Sequence, residues 1–189
     1  MRSSAAGGRG GGAGEEAGVI EPDTKDWTWV LERRCPECGV VAADESPATV
    51  PARLADAVPR WQEVLRRPDV AVRPDGSTWS PLEYAAHVRD VCRVFTQRLG
   101  LMLTASEPTF PDWDQDEAAV SGGYGSQDPQ RVAEGLAQAA GTAADAFAGV
   151  PGERWERGGL RSNGSTFTVC TLAQYFLHDV LHHLHDVRG

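Results

Sequence analysis

The chain has 189 residues, which suffice for one domain with a full hydrophobic core and are too few for two domains to be expected. Its formal net charge is −9, so nucleic acid and anionic membrane surfaces are electrostatically unfavourable partners. No apolar run approaches the roughly 18 residues that a membrane-spanning helix needs. The four cysteines are too few for a disulfide scaffold in a chain of this size. We therefore expect free thiols and a cytoplasmic location.

The N-terminal quarter of the chain differs in composition from the rest. Residues 1–20 are rich in Gly, Ala and Ser and lack the apolar segment of a secretory signal, which predicts a disordered tail. Residues 21–47 are predicted to be an ordered arm that packs on the main domain. Within this arm, residues 26–31 alternate like a short strand. The main domain is predicted to cover residues 48–189.

Four stretches with helical periodicity predict that the main domain is all-α. Ser80 and Glu83 have the spacing of a capping box, with Pro81 in the first turn, and Asp128-Pro129 gives a similar start signal. The predicted helices cover residues 48–67, 81–103, 129–150 and 172–187. Long loops separate the second from the third and the third from the fourth. This pattern predicts a four-helix bundle with a short extended N-terminal arm.

The histidines point most directly to chemistry. One lies in the second predicted helix, and four lie within eight residues of the last. Histidine is neither a good helix former nor a common core residue, so the cluster predicts a metal site. A solvated polar face would produce the same composition. The five residues are His87, His178, His182, His183 and His185.

Helical geometry separates these candidates. His87 lies at the flank of the apolar face of its helix, and Asp179 and His183 lie at the flank of theirs. An Asp and a His at positions i and i+4 can bind one ion together, and a third ligand from a facing helix leaves one coordination position open. His178 and His182 have the same spacing but lie nearly opposite the apolar face, and they remain alternative ligands.

Two short motifs resemble the DinB/YfiT-like superfamily, and within it the mycothiol-dependent maleylpyruvate isomerase-like proteins. Residues 79–83 (Trp-Ser-Pro-Leu-Glu) lead to His87, and residues 183–186 (His-Leu-His-Asp) end the last helix. The resemblance covers about residues 50–188. In this superfamily one metal ligand comes from the second helix and two come from an i, i+4 pair on the last. The resemblance therefore implies His87, Asp179 and His183 as ligands.

Position 179 departs from the family pattern. The isomerase branch is similar but has a Glu there, and the DinB branch has a His. Because Asp is shorter than Glu, His178 or His182 could take its place. The implied ion is Zn²⁺, with Ni²⁺ or another divalent metal as alternatives.

The resemblance implies a divalent-metal-dependent enzyme that acts on a small-molecule substrate. The preferred hypothesis is a thiol-dependent S-transferase or isomerase, in which the ion activates a thiol or water. Its cofactor would be mycothiol or another low-molecular-weight thiol. A metal-assisted hydrolase without a thiol, and a non-catalytic bundle that binds a small ligand or a partner chain, remain open. A homodimer is compatible with the sequence.

Four further residues are candidates for the site. Asp114 and Asp116 lie in the acidic loop between the second and third predicted helices and could transfer protons. Trp113 in the same loop could shape the mouth of a pocket and contact a cofactor there, and Arg161 could bind a carboxylate or a thiol cofactor. Asp114 and Asp116 are equally compatible with a solvated loop that Trp113 anchors to the core. Arg161 is equally compatible with an ordinary surface arginine.

Cys35 and Cys38 form a single Cys-x-x-Cys motif. A zinc knuckle needs two more ligands, and no second pair lies nearby in the sequence. Redox motifs of this spacing begin a helix in a thioredoxin-like fold, which the surrounding pattern does not resemble. A structural turn, a metal site and a redox site all remain open for this motif.

Overall fold

A computed structural model describes residue 20 and residues 26–189, and in them four long helices form the predicted bundle. The predicted disordered tail lies outside the described residues, apart from Ile20. A fifth, short helix lies in the long loop between the second and third long helices. In chain order the helices are α1 (Val50–Leu65), α2 (Pro81–Thr104), α3 (Gln115–Ser121), α4 (Pro129–Ala148) and α5 (Val169–Asp186).

The long helices pack around one core, in which α1 and α2 each contact both α4 and α5. Their starts follow the predicted capping signals: Ser80 and Glu83 form a capping box at α2, and Asp128 caps α4. At α5 the capping box is formed by Thr168 and Thr171, so this helix begins at Val169, slightly earlier than predicted. Within the described residues, none of the helices combines the length and apolarity needed to cross a bilayer.

A small sheet, which the sequence analysis did not predict, joins the two long loops of the described chain. The strand β1 (Thr109–Phe110) is parallel to β2 (Gly158–Arg161), which is antiparallel to β3 (Thr166–Thr168). Gly159 lets β2 approach the core closely, because a Cβ there would lie 2.8 Å from Met102 Cγ. The sheet ties the loops to the end of α2 that lies away from His87.

The N-terminal arm consists of 3-10 helices, so the strand predicted for residues 26–31 is wrong. The side chain of Asp26 accepts a hydrogen bond from the Thr28 N–H at 2.9 Å, which starts a 3-10 turn instead. The arm packs along α5, where Gln174 donates to main-chain oxygens of the arm. Its 3-10 helices cover Trp27–Leu31, Ala42–Asp44 and Pro47–Thr49.

A buried carboxylate fixes the start of α2, the helix that carries His87. Glu83 accepts hydrogen bonds from the N–H and the hydroxyl of Ser80, both at 2.8 Å, and also pairs with the guanidinium of Arg73. Burial alone would raise the pKa of Glu83, but the hydrogen bonds from Arg73 and Ser80 outweigh it and lower this pKa. The carboxylate is therefore charged and fully paired at neutral pH.

Replacing Glu83 by Gln should lower the free energy of unfolding by about 1–3 kcal/mol at pH 7, because the buried charge-assisted hydrogen bonds to the Glu83 carboxylate are weakened. The pKa of Glu83 is lower in the folded chain than in the unfolded chain, where it is about 4.3. The stabilisation by the Glu83 carboxylate is therefore complete above about pH 4.3, and it is lost as the pH falls through the pKa of the folded chain. Urea unfolding followed by circular dichroism at several pH values measures the difference. Glu63→Gln removes an exposed pair with Arg66 and should change stability little; equal losses in both variants would contradict this role.

Candidate metal centre

The structure brings His87 of α2 together with Asp179 and His183 of α5. Asp179 Oδ1 lies 3.5 Å from His87 Nε2 and 3.8 Å from His183 Nε2. One ligand atom from each of the three lies within 4.8 Å of the other two. Two nitrogen or oxygen ligands of a tetrahedral zinc ion are about 3.4 Å apart, given bonds of about 2.1 Å. These three side chains, the triad below, therefore have a spacing that fits one ion.

The triad contains buried polar atoms that lack hydrogen-bond partners. His87 is fully buried, and neither of its ring nitrogens has a hydrogen-bond partner among the described residues. The same holds for Asp179 Oδ1, since 3.5 Å is longer than a good hydrogen bond. Leaving such an atom unsatisfied costs about 1–3 kcal/mol. A bound ion would satisfy these atoms, so the residues fit a metal.

Two tryptophans hold the His87 ring in place. The indole of Trp113 is stacked on it, with ring centroids 5.4 Å apart and planes 14° apart. Trp79 packs on the same imidazole at 5.4 Å in a tilted arrangement. Trp113, which we considered as part of a pocket mouth or cofactor site, thus contacts a residue of the triad directly.

Asp186 orients His183 through the second ring nitrogen. Asp186 Oδ2 lies 2.9 Å from His183 Nδ1. Burial raises the pKa of Asp186, but the hydrogen bond from His183 and the neighbouring imidazoles lower it overall. Because Asp186 is a carboxylate, Nδ1 carries the proton and Nε2 is left for the triad, as in many metal-binding histidines. The His-x-x-Asp spacing was visible in the sequence, but this orienting role was not predicted.

Electrostatics favour the protonation states that a metal requires. Burial lowers the pKa of His87, so its imidazole is neutral at pH 7. Burial raises the pKa of Asp179, but the approach of His87 and the charges of the neighbouring histidines lower it overall. A neutral imidazole and a carboxylate are the forms that bind a divalent cation.

A small cavity and a wider one open beside the triad. The smaller, of about 70 Å³, is lined by Asp179 and His183 and also by Trp27 and Tyr175. The wider, of about 250 Å³, reaches His183, Trp79 and Tyr84. Among the described residues that line the wider cavity there is no Lys or Arg, whereas three are carboxylic acids: Glu37, Asp116 and Asp186.

The other predicted site residues have separate environments. Asp114 caps α3, where its carboxylate accepts two main-chain N–H bonds. Asp116, in the first turn of α3, lines the wider cavity. Arg161 lies on β2 and donates to the side chains of Asn163 and Ser165. Of the three predicted residues, Asp116 is therefore the one that lines the wider cavity.

The structure shows which segment packs against His178 and His182. Helical periodicity placed them nearly opposite the apolar face, yet they are only 4% and 6% exposed, because the N-terminal arm covers that side of α5. They lie against Cys35 and Cys38 and form a second group of potential ligands with them. A third group, His182 with His183 and Asp186, shares His183 with the triad, and its Asp186 is already bonded to that ring.

Comparisons with known proteins agree with this architecture. A family model described as the DinB superfamily matches residues 68–187. No curated protein matches the chain. Among solved structures, the chain is similar to YfiT from Bacillus subtilis, described as "a probable metal-dependent hydrolase with an unusual four-helix bundle topology". The two are 20% identical with a TM-score of 0.59, over 74% of this chain and 78% of that chain. At this identity the likeness establishes a shared fold.

Replacing His183 by Ala should remove one divalent ion per chain relative to the wild type, because only two ligand atoms of the triad would remain. Elemental analysis of protein purified without chelators or a nickel column measures this loss. His185→Ala changes an exposed histidine near the end of the same helix and should keep the wild-type metal content. Wild-type metal content in both His87→Ala and His183→Ala would contradict the ligand assignment.

Proposed function

Since the chain belongs to the DinB superfamily, we propose that it is a divalent-metal-dependent enzyme that hydrolyses a small neutral or cationic molecule. The observation that carries this proposal is the triad itself. Both ring nitrogens of His87 and Asp179 Oδ1 are buried without a hydrogen-bond partner among the described residues, and Asp179 and His183 line the smaller cavity. The description of the neighbouring YfiT as a probable metal-dependent hydrolase supports the same reaction class.

A catalytic role follows from the number and position of the ligands. The triad supplies three ligands and leaves one coordination position open, whereas structural zinc sites use four protein ligands. A divalent ion held by His87, Asp179 and His183 would supply Lewis acidity and lower the pKa of a coordinated water. Trp79 and Trp113 cover the His87 side of the triad and exclude water from it.

The charge of the wider cavity constrains the substrate. Three of its described lining residues are carboxylic acids, and none of the described lining residues is Lys or Arg. Such a lining attracts cationic molecules, admits neutral ones and repels dicarboxylates. This favours hydrolysis of an uncharged or basic compound over isomerisation of a dianionic acid.

Two side chains of the wider cavity can act on the substrate. Asp116 can accept or return a proton at the cavity wall. Burial, together with the charge of Asp186, raises the pKa of Tyr84 to about 12, so its hydroxyl stays protonated and can donate a hydrogen bond. Tyr84 also packs on the His183 ring at 5.1 Å, which keeps it close to the triad.

Thiol-dependent transfer or isomerisation is the second candidate, and it uses the same open position. Zn²⁺ binds thiolates well, so the ion could activate a low-molecular-weight thiol instead of water. The acidic cavity favours an uncharged thiol such as mycothiol over glutathione, which carries two carboxylates. For this candidate we propose that Arg161 binds the thiol cofactor, as predicted from the sequence.

Zinc-loaded protein should hydrolyse p-nitrophenyl hexanoate faster than its anionic counterpart, the mono-p-nitrophenyl ester of adipic acid, because the cavity carboxylates repel the second ester. Chelation or His183→Ala should abolish the reaction. Asp116→Asn should lower kcat by about 100-fold, the usual size of a general acid–base contribution, whereas the exposed neighbour Glu117→Gln should not.

Equal hydrolysis rates for the wild type and His183→Ala on a panel of neutral and cationic esters and amides would contradict the hydrolase proposal. Conjugation of monochlorobimane with mycothiol, cysteine or glutathione tests the second candidate under the same conditions. Metal-dependent conjugation, fastest with mycothiol, would support it, and rates equal to those of the chelated protein would exclude it.

A further inference from the structure

We propose that Cys35, Cys38, His178 and His182 form a second metal site, a structural four-coordinate zinc site that fastens the N-terminal arm to α5. This inference is independent of the proposed function, because the two sites share no ligand. It assigns a role to the Cys-x-x-Cys motif and to the pair of histidines that the triad does not use. We call these four residues the arm site.

The spacing of the four side chains fits one zinc ion. Cys35 Sγ lies 3.7 Å from His182 Nδ1, and Cys38 Sγ lies 3.7 Å from His178 Nε2. One potential ligand atom from each of the four lies within 4.8 Å of the others. With Zn–S bonds of about 2.3 Å and Zn–N bonds of about 2.1 Å, tetrahedral geometry separates sulfur and nitrogen by about 3.6 Å. The observed distances match this value.

The backbone around the two cysteines forms a tight turn that directs both thiols to one side. The Cys35 N–H donates to Val40 O at 2.8 Å, and the Gly39 N–H donates to Cys35 O at 2.9 Å. Gly39 has φ +76°, a left-handed conformation that favours glycine. The turn therefore supplies two ligands with little further rearrangement.

The two histidines are fixed on the opposite side of the arm site. At positions i and i+4 of α5 they project from the same helix face, with ring centroids 5.2 Å apart. The second nitrogen of His182, Nε2, lies 3.5 Å from Glu37 Oε2 and 3.7 Å from Asp186 Oδ2. Carboxylates at the outer nitrogen are typical of metal-bound histidines, because they fix the tautomer and the ring orientation.

Burial argues for a structural ion rather than a redox or nucleophilic cysteine. Cys35 is fully buried, so its thiol cannot reach a substrate or a redox partner without movement of the arm. The turn is not the start of a helix, which is where redox Cys-x-x-Cys motifs lie. Four protein ligands also leave no coordination position open, which is characteristic of structural zinc.

The arm site would fix one wall of the pocket beside the triad. Trp27 of the arm packs on His182 with ring centroids 5.3 Å apart, and it lines both cavities described above. Glu37, inside the Cys-x-x-Cys turn, lines the wider cavity. An ion in the arm site would therefore hold two pocket residues in place without taking part in the reaction.

Cobalt spectroscopy can test this proposal on the full chain, with Co²⁺ as the only added ligand. The wild type should bind two ions per chain and show the near-ultraviolet charge-transfer absorption of a cobalt–thiolate bond. Cys38→Ser should bind one ion fewer and lose most of this absorption, whereas His183→Ala should also lose an ion but keep the absorption. Cys170→Ser removes a half-buried cysteine outside the arm site and should leave both readouts unchanged.

Absence of the thiolate absorption in the cobalt-loaded wild type, or its full retention in Cys38→Ser, would overturn the arm site. Should Cys38→Ser fail to fold, X-ray absorption of zinc-loaded His183→Ala decides instead. Two sulfur scatterers at about 2.3 Å support the site, and a shell of nitrogen and oxygen alone excludes it. If the arm site binds an ion and the triad does not, the wild type will bind one ion per chain and still show the thiolate absorption. This result separates a failure of the proposed function from a failure of the arm site.

Discussion

A buried imidazole without a hydrogen-bond partner is unfavourable. Where α2 meets α5, His87 is such an imidazole within the described part of the chain, and the neighbouring Asp179 Oδ1 also lacks a hydrogen bond there. Each such atom costs about 1–3 kcal/mol unless something compensates for it. Trp79 and Trp113 pack on His87 and hold its ring where it is. An apolar residue at position 87 would avoid this cost, so the arrangement indicates a function that needs these donor atoms.

Helix α5 presents ligand side chains to two different partners. Asp179 and His183 meet α2, whereas His178 and His182 meet the N-terminal arm. Both pairs have i, i+4 spacing and are offset by one residue, which corresponds to a rotation of about 100° around the helix axis. One helix can therefore contribute to two ligand sets, and the smaller cavity is lined by residues of both pairs.

The two proposed sites share the cavity wall but differ in the number of ligands that they offer. The triad borders cavities and offers three ligands, so an ion there would remain accessible to a small molecule. The arm site offers four ligands, and its Cys35 is fully buried. An ion in the second site would act on the first only indirectly, through the position of Trp27 on the cavity wall. The bundle and the arm would thus form one functional unit.

The sequence by itself determined the properties that belong to single helices. Capping signals at Ser80 and Asp128 are local, and so is the i, i+4 relation of Asp179 to His183. These sufficed to predict the bundle, whereas the preference for His87, Asp179 and His183 over the pair His178 and His182 came from the family resemblance. The small sheet was missed because its strand pairings join segments distant in the chain. The 3-10 turn at Asp26 has a local capping signal, which the alternating pattern of residues 26–31 concealed.

Only the tertiary structure decided what covers the other side of α5. Periodicity placed His178 and His182 opposite the apolar face, but it does not reveal that the N-terminal arm packs on that side of the helix. Their cysteine neighbours are 140 and 147 positions away in the sequence, so no local pattern joins the four residues. The periodicity of apolar residues along a helix reveals the face that packs into the core. Which segment covers a second face of the same helix depends on tertiary packing.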